Sequence, residues 1–392
     1  MLVFISDLHL RPGAPSPMSR AAQFSRLWQR IEGGRPGAPV RLCLVGDIFD
    51  LVRAPHWLGT KVRPYHEPSP ALAAHVKDIV DATVEADRPF FEAVLYKVDQ
   101  GLLEIEYVLG NHDRLLAHAP AARAAVRAAL GMKGGDAPFP EKLVFPREGV
   151  LAYHGHTVDL LCHDPGGAAP LGDVIASDLI VRFPAEIRRR VEVPDPRLDE
   201  IDDVRPVLAV PGWVRTVARC EPQHLSQVLF TVWKDLVEEF LANPWVVDWM
   251  KDHHRPLKLD FAQRVKLLLA LSAKAKPRDE PRLTQAYYLL MKILDARFAR
   301  TAVKALEARE HRGLRFVVNG HTHFAGMTPL GLVNGRPAAY FNTGTWRQLH
   351  HLGTVARGRP AFLAYDAAAY LVFFDEDDPL GRTFEWWQGA GG

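Results

Sequence analysis

The side chains of this chain best suited to metal chemistry fall in five short clusters. They are Ser6-Asp7-Leu8-His9, Gly46-Asp47-Ile48-Phe49-Asp50, Gly110-Asn111-His112-Asp113, His154-Gly155-His156 and Gly320-His321-Thr322-His323. Carboxylate, imidazole and amide groups together suit borderline divalent cations such as Mn²⁺, Fe²⁺ and Zn²⁺. Asp7 and His9 are two residues apart, as are His321 and His323, so each pair can face one side at a strand end. A carboxylate such as Asp47 can bridge two cations with its two oxygens. Two cations about 3.5–4 Å apart can hold a hydroxide between them and neutralise phosphoryl oxygens.

Elements of the right length precede each cluster. The runs Leu2 to Ile5, Val40 to Val45, Ile105 to Leu109, Leu151 to Tyr153 and Phe316 to Val318 are apolar and strand-length. Buried strands that end in polar residues point to a central sheet with a site along one edge. Helical patterns lie between them, at Ala21 to Ile31 and Ala71 to Lys97, which predicts an α/β layered domain. The tail from about Ala338 to Trp387 reads as strands, with turns near Gly358 and Asp378.

Between His154 and His321 the pattern changes. Phe183 to Pro222 carries six prolines and predicts irregular backbone or short helices. Leu225, Val228, Leu229, Val232, Trp233, Leu236, Val237, Phe240 and Leu241 recur at steps of three and four, one apolar helix face. Further helical patterns run over Leu257 to Ala275 and Leu283 to Ala308. Residues 170–310 are therefore read as a helical insertion (cap) in an α/β domain of 1–169 and 311–392. The insertion holds Trp213, Trp233, Trp245 and Trp249, which at helical spacing read first as its core. Arg188-Arg189-Arg190 reads first as a solvated face, and an apolar lid with an anion-binding rim is the functional alternative.

The five clusters, in this order, resemble the calcineurin-like metallophosphoesterase family, whose pattern is DxH, GDxxD, GNH[DE], a lone or paired His, then GHxH. The resemblance covers about 1–165 and 311–350. It implies a four-layer αββα sandwich and a dinuclear centre, most simply of manganese, with iron or zinc also fitting. One ion would be held by Asp7, His9, Asp47 and His323, the other by Asp47, Asn111, His154 and His321. It further implies catalysis by His112, oriented by Asp113, and attack of a bridging hydroxide on a phosphoester or phosphoanhydride. Asp50 would hydrogen-bond near the bridging carboxylate. Arg11 and His156 lie close enough in sequence to touch substrate or ligands, and Cys162, His163 and Asp164 either contact substrate or serve a loop role. Asn342 to Trp346 would form a strand end and turn near the site.

Ile5 to Arg11 and Tyr153 to Asp159 also resemble the bacterial branch of UDP-2,3-diacylglucosamine pyrophosphohydrolases. That branch carries Arg where this chain has His112, so it stands as an alternative. Two others are a nuclease and a non-enzymatic scaffold that binds proteins through the insertion. The 48 basic and 46 acidic residues, with net charge +2, supply no general attraction for nucleic acid or membrane and argue against the nuclease. The scaffold is disfavoured because every ligand position is filled. The expected partner is a phosphorylated small-molecule or lipid-linked substrate. Three cysteines without a CxxC pair fit a reducing compartment, a first strand in place of a signal peptide fits the cytoplasm, and no apolar stretch is long enough to span a membrane.

Overall fold

The computed structural model describes residues 1–13, 19–34, 37, 39–191, 196–253, 261–274, 297–353 and 361–389. Thirteen strands lie among them: β1 (Leu2–Ile5), β2 (Val40–Val45), β3 (Leu103–Val108), β4 (Leu143–Phe145), β5 (Val150–Ala152), β6 (Val204–Arg205), β7 (Phe316–Asn319), β8 (Gly326–Val333), β9 (Arg336–Asn342), β10 (Gln348–Gly353), β11 (Ala361–Asp366), β12 (Ala368–Phe373) and β13 (Phe384–Gly389). The fold is mixed α/β. One five-stranded sheet has the order β13-β12-β1-β2-β3, and a second has β4-β5-β7-β9-β8. The first is antiparallel on the β13-β12-β1 side and parallel from β1 through β2 to the β3 edge, and the second is parallel at its centre and antiparallel at both margins.

Strand alternation explains how these sheets pack. Leu2 and Phe4 of β1, Cys43 and Val45 of β2 and Phe373 of β12 share one apolar cluster with Phe316 and Val318 of β7 and Phe341 of β9. Rings interlock across it, with Phe4 5.9 Å from Phe145 and Phe316 5.1 Å from Phe373. The alternate residues Val3, Ile5, Leu42 and Leu44 face the other way, into a cluster with helices Arg20–Gly34, Pro70–Ala86, Arg88–Asp99 and Pro120–Ala129. Both faces of the central strands are thus buried, which is why they read as continuous apolar runs rather than alternating ones.

The helix expected over Ala71 to Lys97 is two helices. The first is capped by Ser69, whose hydroxyl accepts from the Leu72 amide at 3.2 Å, with Pro70 in its first turn. The break falls at Asp87, because Pro89 has no N–H and its ring blocks the preceding turn, so it fits only at a new helix start.

The insertion is mainly helical where it is described. Helices Arg182–Arg190, Val210–Cys220, Gln223–Ala242, Pro244–Asp252 and Phe261–Lys274 enclose a third apolar cluster that contains Trp213, Trp233 and Trp249. Those tryptophans are core, and Arg188, Arg189 and Arg190 pair with Asp199, Glu186 and Asp235 on the surface. A small sheet, β11-β10-β6, joins the insertion to the C-terminal strands through His350–Val204 and His351–Arg205 pairing. The helix at 297–307 behaves differently. Phe298, Ala302 and Leu306 pack with Leu151, Val317 and Tyr340 on the outer face of the second sheet. The helical pattern before residue 297 and the turn near Gly358 lie outside the described residues. No described helix is long and apolar enough to cross a membrane.

Candidate metal centre

The five clusters meet where strands of the two five-stranded sheets end. Asp7 and His9 follow β1, and Asp47 follows β2. Asn111 and His112 follow β3, His154 follows β5, and His321 and His323 follow β7. Amide bonds tie the loops together: Asp7 N donates to Gly46 O at 3.1 Å and His9 N to Asp47 O at 3.0 Å. Leu51 N reaches His112 O at 3.1 Å and Gly320 N reaches His154 O at 3.0 Å.

The backbone at these positions is strained. Asp7, His9, Asp47, His321 and His323 all have positive φ, from 49° to 74°, and among the described non-glycine residues only Asn334 shares that conformation. Such angles are costly for residues with a Cβ and persist where the surroundings impose them, commonly at functional sites. The glycines that precede the ligands serve a different need. A Cβ on Gly110 would lie 2.1 Å from Asp47 Oδ1, and one on Gly320 would lie 2.4 Å from Asp7 Oδ2. Both carboxylates therefore rest against bare backbone.

The side chains fall into two groups that share Asp47. In the first, His323 Nε2 is 3.3 Å from Asp7 Oδ1 and 3.0 Å from His9 Nε2, and His9 Nε2 is 3.9 Å from Asp47 Oδ2. In the second, Asp47 Oδ2 is 3.2 Å from His154 Nε2, His154 Nε2 is 3.3 Å from Asn111 Oδ1, and that oxygen is 3.0 Å from His321 Nδ1. One Asp47 oxygen thus serves both groups, while the other accepts the His112 amide at 2.8 Å.

Outer contacts fix the rings. His9 Nδ1 faces Asp50 Oδ2 at 3.2 Å and His154 Nδ1 faces Val45 O at 2.8 Å, which leaves Nε2 inward in each case. Ser6 and the His321 amide hold Asp7 Oδ2, and Thr345 Oγ1 donates to Asp7 O at 2.6 Å. The turn from Asn342 to Trp346 therefore lies against the site. Ser6 Oγ is also 2.6 Å from Thr343 Oγ1.

A cation fits this arrangement. Asp7 Oδ1 is buried and has no hydrogen-bond partner, although two imidazole nitrogens lie within 3.7 Å of it. Burial holds His9 below the usual imidazole range and His323 well below it, so both favour the neutral, lone-pair-donating form. Burial alone would neutralise Asp47, but the His154 and His112 rings outweigh it and keep the acid well below the usual carboxylate range. Burial likewise opposes charge on His154, yet Asp47 overcomes it and raises the ring to about 10.

His112 and Asp113 differ from expectation. His112 Nδ1 meets Asp50 Oδ1 at 2.8 Å, so Asp50, not Asp113, orients the ring. Asp113 turns inward, accepting from Tyr107 Oη at 2.6 Å and the Ile48 amide at 3.0 Å. It fixes the loop instead, and burial with the nearby Asp47 charge raises it to about 7. Asp50 hydrogen-bonds close to the bridging carboxylate, as expected. It lies one layer out, joining His9, His112 and Arg53, with Arg53 Nε at 2.7 Å.

Arg11 is not available to substrate. It is buried and paired with Asp202 of the insertion, a contact no local pattern announces. His156 is partly buried, with its ring 5.5 Å from His154 and a buried, unpaired Nδ1, beside the site but outside both ligand groups. Asp164 accepts from Gly166 N at 2.7 Å and Trp249 Nε1 at 3.3 Å, a loop role that fastens the insertion. Asp159 carries more than the sequence indicated: its Oδ2 lies 3.2 Å from His321 Nε2, and it groups with Cys162 and His321. Its signals were its place five residues after His154 and at the end of the Tyr153 to Asp159 resemblance.

A cleft with about 1060 Å³ of empty space, continuous with solvent, opens onto the centre. Asp47, Asn111, His112, His321 and His323 line one side of it. Ile175, Ile180, Arg205 and Leu208 of the insertion line another. No family model matches the chain, and no curated protein matches it.

Proposed function

We propose that this protein is a metal-dependent phosphoesterase of the calcineurin-like metallophosphoesterase type. It hydrolyses a phosphoester or phosphoanhydride at a dinuclear centre that shares Asp47. One observation carries the reading: Asp47 Oδ2 stands 3.2 Å from His154 Nε2 and 3.9 Å from His9 Nε2, at the junction of two ligand groups. Asp7, His9, Asp47 and His323 would hold one cation, and Asp47, Asn111, His154 and His321 the other. Cations bound there supply Lewis acidity to phosphoryl oxygens and lower the pKa of water. Manganese is the metal we assign.

The chain's own groups do the rest. His112 lines the cleft with Nδ1 engaged by Asp50, so Nε2 is the nitrogen left to protonate a leaving oxygen or stabilise developing charge. Arg53 holds Asp50 through Nε at 2.7 Å, and Asp50 in turn orients the His9 and His112 rings. The positive-φ backbone fixes the ligands before any substrate arrives, in keeping with a preorganised site.

The sheet packing supports a four-layer αββα catalytic domain, with the insertion as a cap. The helix at 297–307 joins the second sheet's outer layer, so we end the cap before residue 297. Hydrolysis assays with Mn²⁺ on p-nitrophenyl phosphate, bis-p-nitrophenyl phosphate, a nucleotide-sugar pyrophosphate and single-stranded DNA test the function. Turnover of a phosphoester that chelator abolishes is expected. No turnover of any of the four by folded, manganese-loaded protein would overturn it.

A further inference from the structure

The insertion places one guanidinium at the centre. Arg205 Nη2 is 3.2 Å from His323 Nε2, and Nη1 donates to the carbonyls of Asp202 at 2.8 Å and Val204 at 2.9 Å. The backbone that carries it is pinned by β6–β10 pairing, His351 to Arg205.

Its neighbours make Arg205 distinct. Arg11, Arg53 and Arg347 surround the same centre, and each has a carboxylate: Asp202, Asp50 at 2.7 Å and Asp203 at 2.6 Å. Among the described residues no carboxylate forms an ion pair with Arg205. A cation drawn out of bulk water without a partner acid is costly and is tolerated where an anion comes to meet it. Arg205 lines the cleft together with Asp47, His112 and His321, so an anion at the candidate centre would lie before it. Beyond it the wall is apolar: Ile175, Ile180, Leu208, Phe298 and Phe324.

We propose that Arg205 binds a non-bridging phosphoryl oxygen of the substrate, and that the organic group of that substrate is an apolar one lying along this wall. The inference rests on the phosphoesterase reading. It makes the insertion part of the site: a guanidinium suits phosphoryl oxygens by charge and by its forked donors.

The test uses full-length, manganese-loaded protein with Arg205→Met and Arg205→Gln, and inorganic phosphate as the probe in calorimetry. Both variants should keep the wild-type manganese content and bind phosphate about tenfold or more weakly, the scale of a charge-assisted hydrogen bond. No acid loses an ion-pair partner, but the Asp202 and Val204 carbonyls lose a donor, so Arg205→Met should melt only slightly below wild type. Arg205→Lys should recover part of the affinity, which a purely structural role would not produce. In wild type, KM for 1-naphthyl phosphate should be about tenfold lower than for glycerol phosphate, as expected for burying an aromatic group. Phosphate affinity unchanged in whichever of the two variants holds manganese, or equal KM for the two esters, would overturn the proposal. If folded, manganese-loaded wild type hydrolyses neither these esters nor any of the four substrates named above, the phosphoesterase reading fails instead.

Discussion

His112 Nδ1 lies 2.8 Å from Asp50 Oδ1, and the opposite oxygen of Asp50 faces His9 Nδ1 at 3.2 Å. A single carboxylate thus orients both the candidate catalytic ring and a candidate metal ligand. It is held well below the usual carboxylate range: burial opposes its charge, but Arg53 and His112 prevail.

Removing the His112 ring should separate catalysis from metal binding. His112→Ala is expected to keep manganese content at the wild-type level and lower kcat about a hundredfold, the scale of a lost general acid. Asp50→Asn should lower kcat as well, and Asp113→Asn should act mainly through stability. Metal analysis beside steady-state kinetics checks this. Loss of manganese from His112→Ala would reassign the ring as a ligand.

The close approach of Gly110 to Asp47 gives a second test. In Gly110→Ala the added carbon would meet Asp47 Oδ1 at 2.1 Å, so the carboxylate or the loop must move. The expected result is loss of manganese together with destabilisation of about 1–3 kcal/mol, as for overpacking elsewhere. Urea unfolding of chelator-treated protein and metal analysis read the two effects separately.

The insertion should be fastened by Arg11 and Asp202. Both are buried, so Asp202→Leu leaves an uncompensated guanidinium and should cost about 3–5 kcal/mol, while Arg11→Met/Asp202→Leu should recover much of that loss. Equal unfolding midpoints for the single and double variants would show that the pair does not clasp the insertion.

Metal affinity should rise with pH. His154 without a cation carries a proton up to about 10, held chiefly by Asp47 against burial, and a cation must displace it. Between pH 6 and 8 the Kd for Mn²⁺ should therefore fall about tenfold per pH unit, with about one proton released per chain. The linkage has a matching consequence for metal-free protein. The His154 contribution to stability is complete below the unfolded value near 6.5 and is lost as pH rises through about 10. Calorimetry in buffers of different ionisation heat measures the proton, and a pH-independent Kd would contradict it.

Much of the site was legible because each ligand cluster ends a strand, and all of these strands but the edge strand β3, where Glu104 is exposed, are buried on both faces. Such strands read as apolar runs, and β1, β2, β3, β5 and β7 all fall where those runs predict. The helix face from Leu225 to Leu241 was equally plain, and it forms Gln223–Ala242. What the sequence hid are contacts between distant segments. Nothing near Asp50 says that its oxygens reach His9 and His112, and nothing near Arg11 names Asp202. Arg205 belongs to no motif. It reaches His323 only because two residues of β6 pair with β10, a register too short to leave a pattern. The adjacent Asp113 was a natural choice to orient His112, but a neighbour in sequence points elsewhere when its amide loop turns inward.

The central claim, two cations sharing Asp47, is tested most directly by anomalous diffraction from crystals of manganese-loaded protein. The account predicts two peaks flanking Asp47, one beside Asp7, His9 and His323 and the other beside Asn111, His154 and His321, both lost in Asp47→Asn. No peak at either position in folded, manganese-saturated protein would contradict it.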